Sequence, residues 1–218
     1  MSIKVHHLEF SRSLRVLWML EELGLDYTVD QWKRDRDFRA PSAATRVHPL
    51  GRFPMVEVDG HVLSESGAVL EYFAEREGKL RPSRMQDLLE YRFFMHYAEG
   101  SAMPPLLVQL IMNRLRDAPV PFFIRPIVRA VASKVEQGYS GPALDLHFSF
   151  VERTLEGRPY FAGDAFSMAD IQMFYPVEAA LSREQAQRPH MRAWRERVTA
   201  RDAYVRAEAR GGTALPAT

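Results

Sequence analysis

The residues best placed to do chemistry are Arg52-Phe53-Pro54 and, eleven positions after the proline, Glu65-Ser66. A strand entered through Pro54, a Val58-Asp59-Gly60-His61 turn, a second strand and a helix opening on Glu65-Ser66 read as a site for a small anionic peptide. A helix N-terminus offers unpaired N–H groups and partial positive charge to a carboxylate. The chain contains no cysteine. That removes disulfides, thiolate metal ligands and Cys-x-x-Cys redox chemistry, so any sulfur that reacts here arrives on the ligand.

These residues need a scaffold, and the apolar pattern supplies one. Residues 3–8 predict a strand. Val16, Met19, Leu20 and Leu23 fall at i, i+3, i+4 and i+7 and predict a helix, capped by Ser11 or Ser13 and closed by Gly24. Residues 27–32 predict a second strand, completing a parallel βαβ unit. The polar stretch 34–48, which holds Pro41, reads as a loop with one short helix. Residues 55–58 and 62–63 flank Asp59-Gly60, a hairpin signal. Pro54 opens the third strand, where its missing N–H costs no ladder bond. Ala68, Val69, Tyr72 and Phe73 form the next helix face, ended by Gly78. The order β-α-β, loop, β-β-α is thioredoxin-like.

Residues 79–83 read as a linker, and everything beyond is helical, with breaks predicted at 118–121 and 138–142. Ser167 and Asp170 are spaced as a capping box, with Phe166 and Ile171 as its hydrophobic staple. Ile171, Phe174 and Tyr175 are expected down one buried face. The tail beyond Gly211-Gly212 is expected to fray. The fold class expected is α/β plus all-α: a thioredoxin-like βαβ-ββα domain over residues 1–80, then a helical bundle over 86–218.

Composition excludes several functions. With 29 basic against 28 acidic residues the net charge is +1, so there is no electrostatic footprint for nucleic acid. No stretch approaches the roughly 18–20 apolar residues of a membrane span, and the first residues carry no apolar signal region. The chain is expected in the cytoplasm, with no integral membrane segment. Seven histidines show no ligand spacing, and no metal is expected. His6 and His7, adjacent in a strand, must point to opposite faces. All seven read as structural or solvated.

Ser11-Arg12-Ser13-Leu14-Arg15, Pro49-Leu50-Gly51-Arg52-Phe53-Pro54, Glu65-Ser66 and Ser167-Met168-Ala169-Asp170 together resemble the glutathione transferase family over essentially the whole chain. Lys33-Arg34-Asp35, Phe38-Arg39-Ala40-Pro41, the run from His48 to Arg52 and Glu99-Gly100-Ser101 are similar, more specifically, to the fungal membrane-associated glutathione transferase and its bacterial relatives. The resemblance implies an enzyme with glutathione as co-substrate. It would conjugate the glutathione thiolate to small hydrophobic electrophiles in detoxification, and reduce organic hydroperoxides as a second reaction. Two alternatives share the architecture: a non-catalytic interaction module, and a glutathione-dependent isomerase or dehalogenase. A homodimer is implied as well.

The resemblance also assigns roles. Ser11 would hold the thiolate, with Ser13 and Arg12 as rivals. Phe53 would pair its backbone with the cysteinyl portion like an added strand, ahead of a cis Pro54. Glu65 and Ser66 would take the γ-glutamyl end and Arg52 the glycyl carboxylate, with Arg39 and Lys33 as weaker candidates there. Phe10, Met103 and Leu107 would line the electrophile pocket between the domains, with Tyr97, Glu99 and Ser101 adding polar contacts. The energetic demand is modest. Lowering a thiol pKa from about 8.5 by about two units takes roughly 2.7 kcal/mol. A hydroxyl donating to the anion supplies roughly 1.5 to 3 kcal/mol, and a helix N-terminus roughly 0.3 to 2 kcal/mol more.

Overall fold

Strand β1 (Ile3–Leu8) is largely buried on both faces and lies inside a four-stranded sheet. In the computed structural model, which describes residues 2–182 and 188–216, β1 pairs in parallel with β2 (Thr28–Trp32) and antiparallel with β3 (Met55–Val58). β3 continues into β4 (His61–Ser64), giving the order β2-β1-β3-β4. The hairpin between them turns through Asp59 at φ 48° and Gly60 at φ 81°. Two successive left-handed residues are what a two-residue hairpin matched to strand twist requires.

Helix α1 (Leu14–Leu23) buries almost every side chain. One side meets the sheet, and the other meets the helical domain through Trp18, whose ring lies 5.5 Å from Phe166, 5.4 Å from Phe174 and 5.0 Å from Tyr204. Neither serine side chain caps this helix as expected. Ser13 Oγ instead accepts the N–H of Leu8, tying the helix start back to the end of β1. The polar stretch contains one short 3₁₀ turn, Ser42–Arg46. Helix α2 (Ser66–Glu77) buries Val69, Leu70, Phe73 and Ala74. Ala68 and Tyr72, predicted on that face, are exposed, because the helix packs on a stripe turned toward Leu70 and Ala74.

The second domain begins with α3 (Met85–Tyr97), which passes through a π-helical turn, Ala98–Ala102, into α4 (Met103–Arg116). Helix α5 (Arg125–Val135) follows the predicted break at 118–121. The break predicted at 138–142 does not occur: a second π-helical turn, Glu136–Ser140, carries the chain into α6 (Gly141–Thr154). The widened turn accommodates Pro142 near the start of α6. Gly141 permits it, because a Cβ there would sit 2.8 Å from the Glu136 carbonyl oxygen. Helices α7 (Met168–Leu181), α8 (Pro189–Thr199) and α9 (Asp202–Gly211) complete the chain, and α9 packs along α1. Among the described residues, no helix is long and apolar enough to cross a membrane.

The Ser167–Asp170 capping box forms as its spacing predicts. The Asp170 carboxylate accepts the N–H groups of Ser167 at 2.9 Å and Phe161 at 3.0 Å, and the indole N–H of Trp194 at 3.0 Å. Burial pushes its pKa up to about 6 against the pull of these donors. Beyond α9 the chain does not fray at once. Ala214 is buried and Leu215 packs against the core, because the tail folds back along the domain junction.

Candidate active site

Ser11 reaches its place through geometry set on either side. Phe10, at φ 49°, turns the chain sharply off the end of β1. Ser11 Oγ then lies 2.7 Å from the Leu8 carbonyl and 2.7 Å from Ser13 Oγ, and accepts the Ser13 N–H at 3.2 Å. Ser11 keeps about 8% of its surface open, whereas Ser13 is fully buried. Of the two serines, only Ser11 lines the cleft between the domains.

That cleft has a volume of about 560 Å³. Its first wall carries Ser11, Arg52, Phe53, Pro54, Glu65 and Ser66 together. The Phe53–Pro54 peptide bond is cis, and the Phe53 ring lies 5.5 Å from Trp32 on β2. Glu65 caps α2 at φ 68°, ψ 113°, a conformation costing a non-glycine residue about 1–3 kcal/mol and concentrated at ligand clamps. Arg34, Arg39 and Arg52 line the cleft together with Arg12, which is paired to Glu99, and Glu65 is the one carboxylate among the described lining residues. In a chain of net charge +1, this concentration of cations favours an anionic ligand.

Ser66 is held from behind. The buried Arg15 guanidinium donates to Ser66 Oγ at 3.0 Å, to Glu99 Oε1 at 2.6 Å and to the Gln172 carbonyl. With its oxygen accepting from Arg15, Ser66 retains its own proton for an acceptor in the cleft. Glu99 also binds Arg12. Burial pushes the Glu99 carboxyl up, but the charges and hydrogen bonds of Arg15 and Arg12 outweigh it and hold the group below its usual value.

The opposite wall comes from α4 and α7. Met103 and Leu107 line it as expected, joined by Leu106, Leu110, Tyr175 and Ala179. The sequence places Tyr175 with Ile171 and Phe174 on one buried face. It turns instead to the cleft, with Arg15 5.7 Å from its ring centre. Helix α7 is apolar on nearly every side, so periodicity alone does not single out the cleft-facing residue. Leu215 reaches the same cleft from the tail.

Other expectations fall elsewhere. Phe10 is not on the wall; it stacks on Phe38, which is, at 6.3 Å. Tyr97 donates to or accepts from His147 Nδ1 at 2.7 Å among the aromatics of the helical domain. Glu99 serves Arg15 and Arg12, and neither Ser101 nor Lys33 lines the cleft. Arg39 does. Arg34, absent from the expected set, donates to the carbonyls of Glu9, Phe10 and Phe38 and so fixes the loop around the cleft.

A cleft of this form suits a short extended anion, and the frame around it is that of a two-domain thioredoxin-like protein. The family model "Glutathione S-transferase, N-terminal domain" matches residues 10–76, and "Glutathione S-transferase, C-terminal domain" matches 110–202. Glutathione S-transferase 1 of Saccharomyces cerevisiae is 34% identical over 216 residues, covering 93% of this chain and 92% of its own length. Glutathione S-transferase 3 of Schizosaccharomyces pombe is 35% identical over 206 residues, covering 92% of this chain and 84% of its own. A crystal structure of a glutathione transferase homologue from Sulfitobacter, with bound glutathione, superposes with a TM-score of 0.75 at 20% identity, covering 97% of this chain and 99% of its own. The chain belongs to the glutathione S-transferase family of enzymes.

Proposed function

We propose that the protein binds reduced glutathione in this cleft, stabilises its thiolate with Ser11 and directs it at small hydrophobic electrophiles in a cytoplasmic detoxifying conjugation. The observation that carries this reading is the convergence of Ser11, Arg52, Phe53, cis-Pro54, Glu65 and Ser66 on one cationic cleft. The thioredoxin-like unit, assigned residues 1–80, supplies these side chains. The helical unit, assigned 86–218, supplies the apolar wall of Met103, Leu106, Leu107 and Leu110 against which an electrophile rests. Ser11 exchanges its carbonyl acceptor for the sulfur anion, a stronger charge-assisted bond. Ser66 and the N-terminus of α2 take the γ-glutamyl carboxylate, Glu65 the ammonium, the Phe53 backbone the cysteinyl unit and Arg52 the glycyl carboxylate. Proximity and charge stabilisation then carry the chemistry. The same thiolate would also serve in reducing organic hydroperoxides.

Calorimetric titration with reduced glutathione tests the reading. Wild type should show saturable binding, and Ser66→Ala should bind about 10- to 100-fold more weakly, the loss expected for a hydrogen bond to a charged group. Wild type that takes up no glutathione would leave an interaction module in its place. We further propose a homodimer, supported by apolar side chains exposed on both domains: Val62 and Tyr72 on the first, Met85, Leu89 and Phe93 on α3. A monomer in sedimentation equilibrium would remove that part.

A further inference from the structure

His7 lies behind Ser11, and its hydrogen bonds fix where each proton sits. His7 Nε2 is 2.7 Å from the carbonyl oxygen of Gly211 at the end of α9. A carbonyl only accepts, so Nε2 carries a proton, and in the neutral ring Nδ1 is the acceptor. Ser13 Oγ is 2.9 Å from Nδ1 and donates to it, in preference to the Leu8 carbonyl at 3.1 Å. Ser13 Oγ already takes the Leu8 N–H, and its remaining lone pair faces Ser11 Oγ at 2.7 Å. Ser11 Oγ has two acceptors at 2.7 Å, the Leu8 carbonyl and Ser13 Oγ; with its proton turned from the carbonyl to Ser13, Ser11 donates to Ser13 and Ser13 to His7, in one continuous direction away from the cleft.

We infer that His7 is the terminal acceptor of a proton relay, through Ser13 and Ser11, that takes up the proton of a thiol bound in the cleft. This inference rests on Ser11 being the thiol partner. The thiol S–H bond breaks and its electron pair stays on sulfur; the proton passes to Ser11 Oγ. The Ser11 proton passes to Ser13 Oγ, and the Ser13 proton to His7 Nδ1. Every donor in the chain then reverses, so that His7 donates to Ser13, Ser13 to Ser11 and Ser11 to the thiolate. No water or metal takes part.

The surroundings suit both ends of the step. Burial holds the His7 imidazole below its usual pKa, so the ring is neutral before a thiol binds; the same burial opposes its protonation, and the groups facing it must offset that cost. Facing the ring are Glu9 from the end of its own strand, the carbonyl end of α9 and the hydroxyl of Ser13 at the start of α1. A helix C-terminus and a carboxylate both favour an imidazolium, as does a newly formed thiolate three hydrogen bonds away. The close fit between His7 and α9 preserves the arrangement: a Cβ on Gly211 would lie 2.9 Å from His7 Cε1 and 2.5 Å from Leu17 Cδ1.

Two readouts on the full-length protein test the relay. The first is nitrogen NMR of His7 in wild type, with thiolate absorbance followed in the same samples as glutathione is added. Nδ1 should gain a proton as the thiolate forms, and in Ser13→Ala it should not. The second is binding calorimetry in buffers of different ionisation enthalpy. Wild type should release fewer protons to solvent than it forms thiolates, whereas His7→Gln and Ser13→Ala should release one proton per thiolate and raise the bound thiol pKa by about one unit. A purely packing role for His7 would not change this ratio. Thiolate formation in wild type with full proton release and an unprotonated Nδ1 would overturn the relay while leaving the proposed function standing. If Ser11→Ala leaves the bound thiol pKa unchanged, the assignment of Ser11 fails and the relay fails with it.

Discussion

Ser11→Ala is expected to raise the pKa of the bound thiol by about one to two units, returning it toward the roughly 8.5 of a free thiol. The hydroxyl's bond to the anion is worth about 1.5 to 3 kcal/mol, at about 1.36 kcal/mol per unit. At pH 7 the thiolate fraction then falls from most of the bound glutathione to a minority, and the conjugation rate at saturating glutathione drops about 3- to 25-fold. The affinity for glutathione at pH 7 should fall only a few-fold, because in the proposed pose Arg52, Phe53, Glu65 and Ser66, which line the same cleft, would still hold the rest of the tripeptide. The deficit should shrink as the pH is raised, since hydroxide restores the thiolate that the missing hydroxyl no longer favours. Thiolate absorbance against pH, paired with initial rates, checks both parts. An unshifted thiol pKa would move the role to Arg12, the other candidate at the cleft. Ser13 cannot inherit it: the side chain is fully buried and bonded to His7 and Leu8.

What could be read from the sequence was what short-range chemistry dictates. Asp59-Gly60 fixed a hairpin because two left-handed residues in succession admit few other turns. Ser167 and Asp170 fixed the start of α7 because three residues is the spacing at which each side chain reaches the other's backbone. The clustering of Ser11, Phe53, Pro54, Glu65 and Ser66 was legible because all five sit at ends of strands and helices in a single thioredoxin-like unit. The missed features depend on distance along the chain or on how an irregular helix closes. His7 looked structural because its partner Gly211 lies 204 residues away. The tail looked frayed because only the assembled junction shows where Leu215 packs. Gly138 and Pro142 read as a break because glycine and proline usually interrupt a helix; a π-helical turn takes in Gly138 and Pro142 falls in the first turn of α6, and pattern alone does not announce this.

Glu99→Ala should produce the largest loss of stability. Glu99 sits on the π-helical turn between α3 and α4, and its carboxylate is the counter-charge of Arg15, whose side chain is only 2% exposed. Among the described residues Arg15 Nε has no hydrogen-bond partner, so without Glu99 the cation keeps its hydrogen bonds to the Ser66 hydroxyl and the Gln172 carbonyl and its contact with the Tyr175 ring. Removing one member of a fully buried pair typically costs about 3–5 kcal/mol; the Glu99 side chain is 30% exposed, so solvent reduces the loss to about 2–3 kcal/mol, or roughly 4–12 °C in melting temperature for a chain of this length. The double variant Glu99→Ala/Arg15→Met should be more stable than Glu99→Ala alone, because the stranded charge leaves with the arginine. The sign with pH follows from the depressed carboxyl of Glu99. Its contribution is fully present above the unfolded value of about 4.3 and is lost as the pH falls through the lower folded value. The gap between wild type and variant should therefore be widest near neutrality and close on acidification. Glutathione binding should weaken in the same variant, since Ser66 is positioned by the arginine that Glu99 neutralises. Thermal melts of the three proteins between pH 3 and 7, with calorimetry at pH 7, measure all of this. A shift below about 2 °C at neutral pH would show that Arg15 finds other compensation, and that Ser66 owes its position to the α2 backbone rather than to the ion pair behind it.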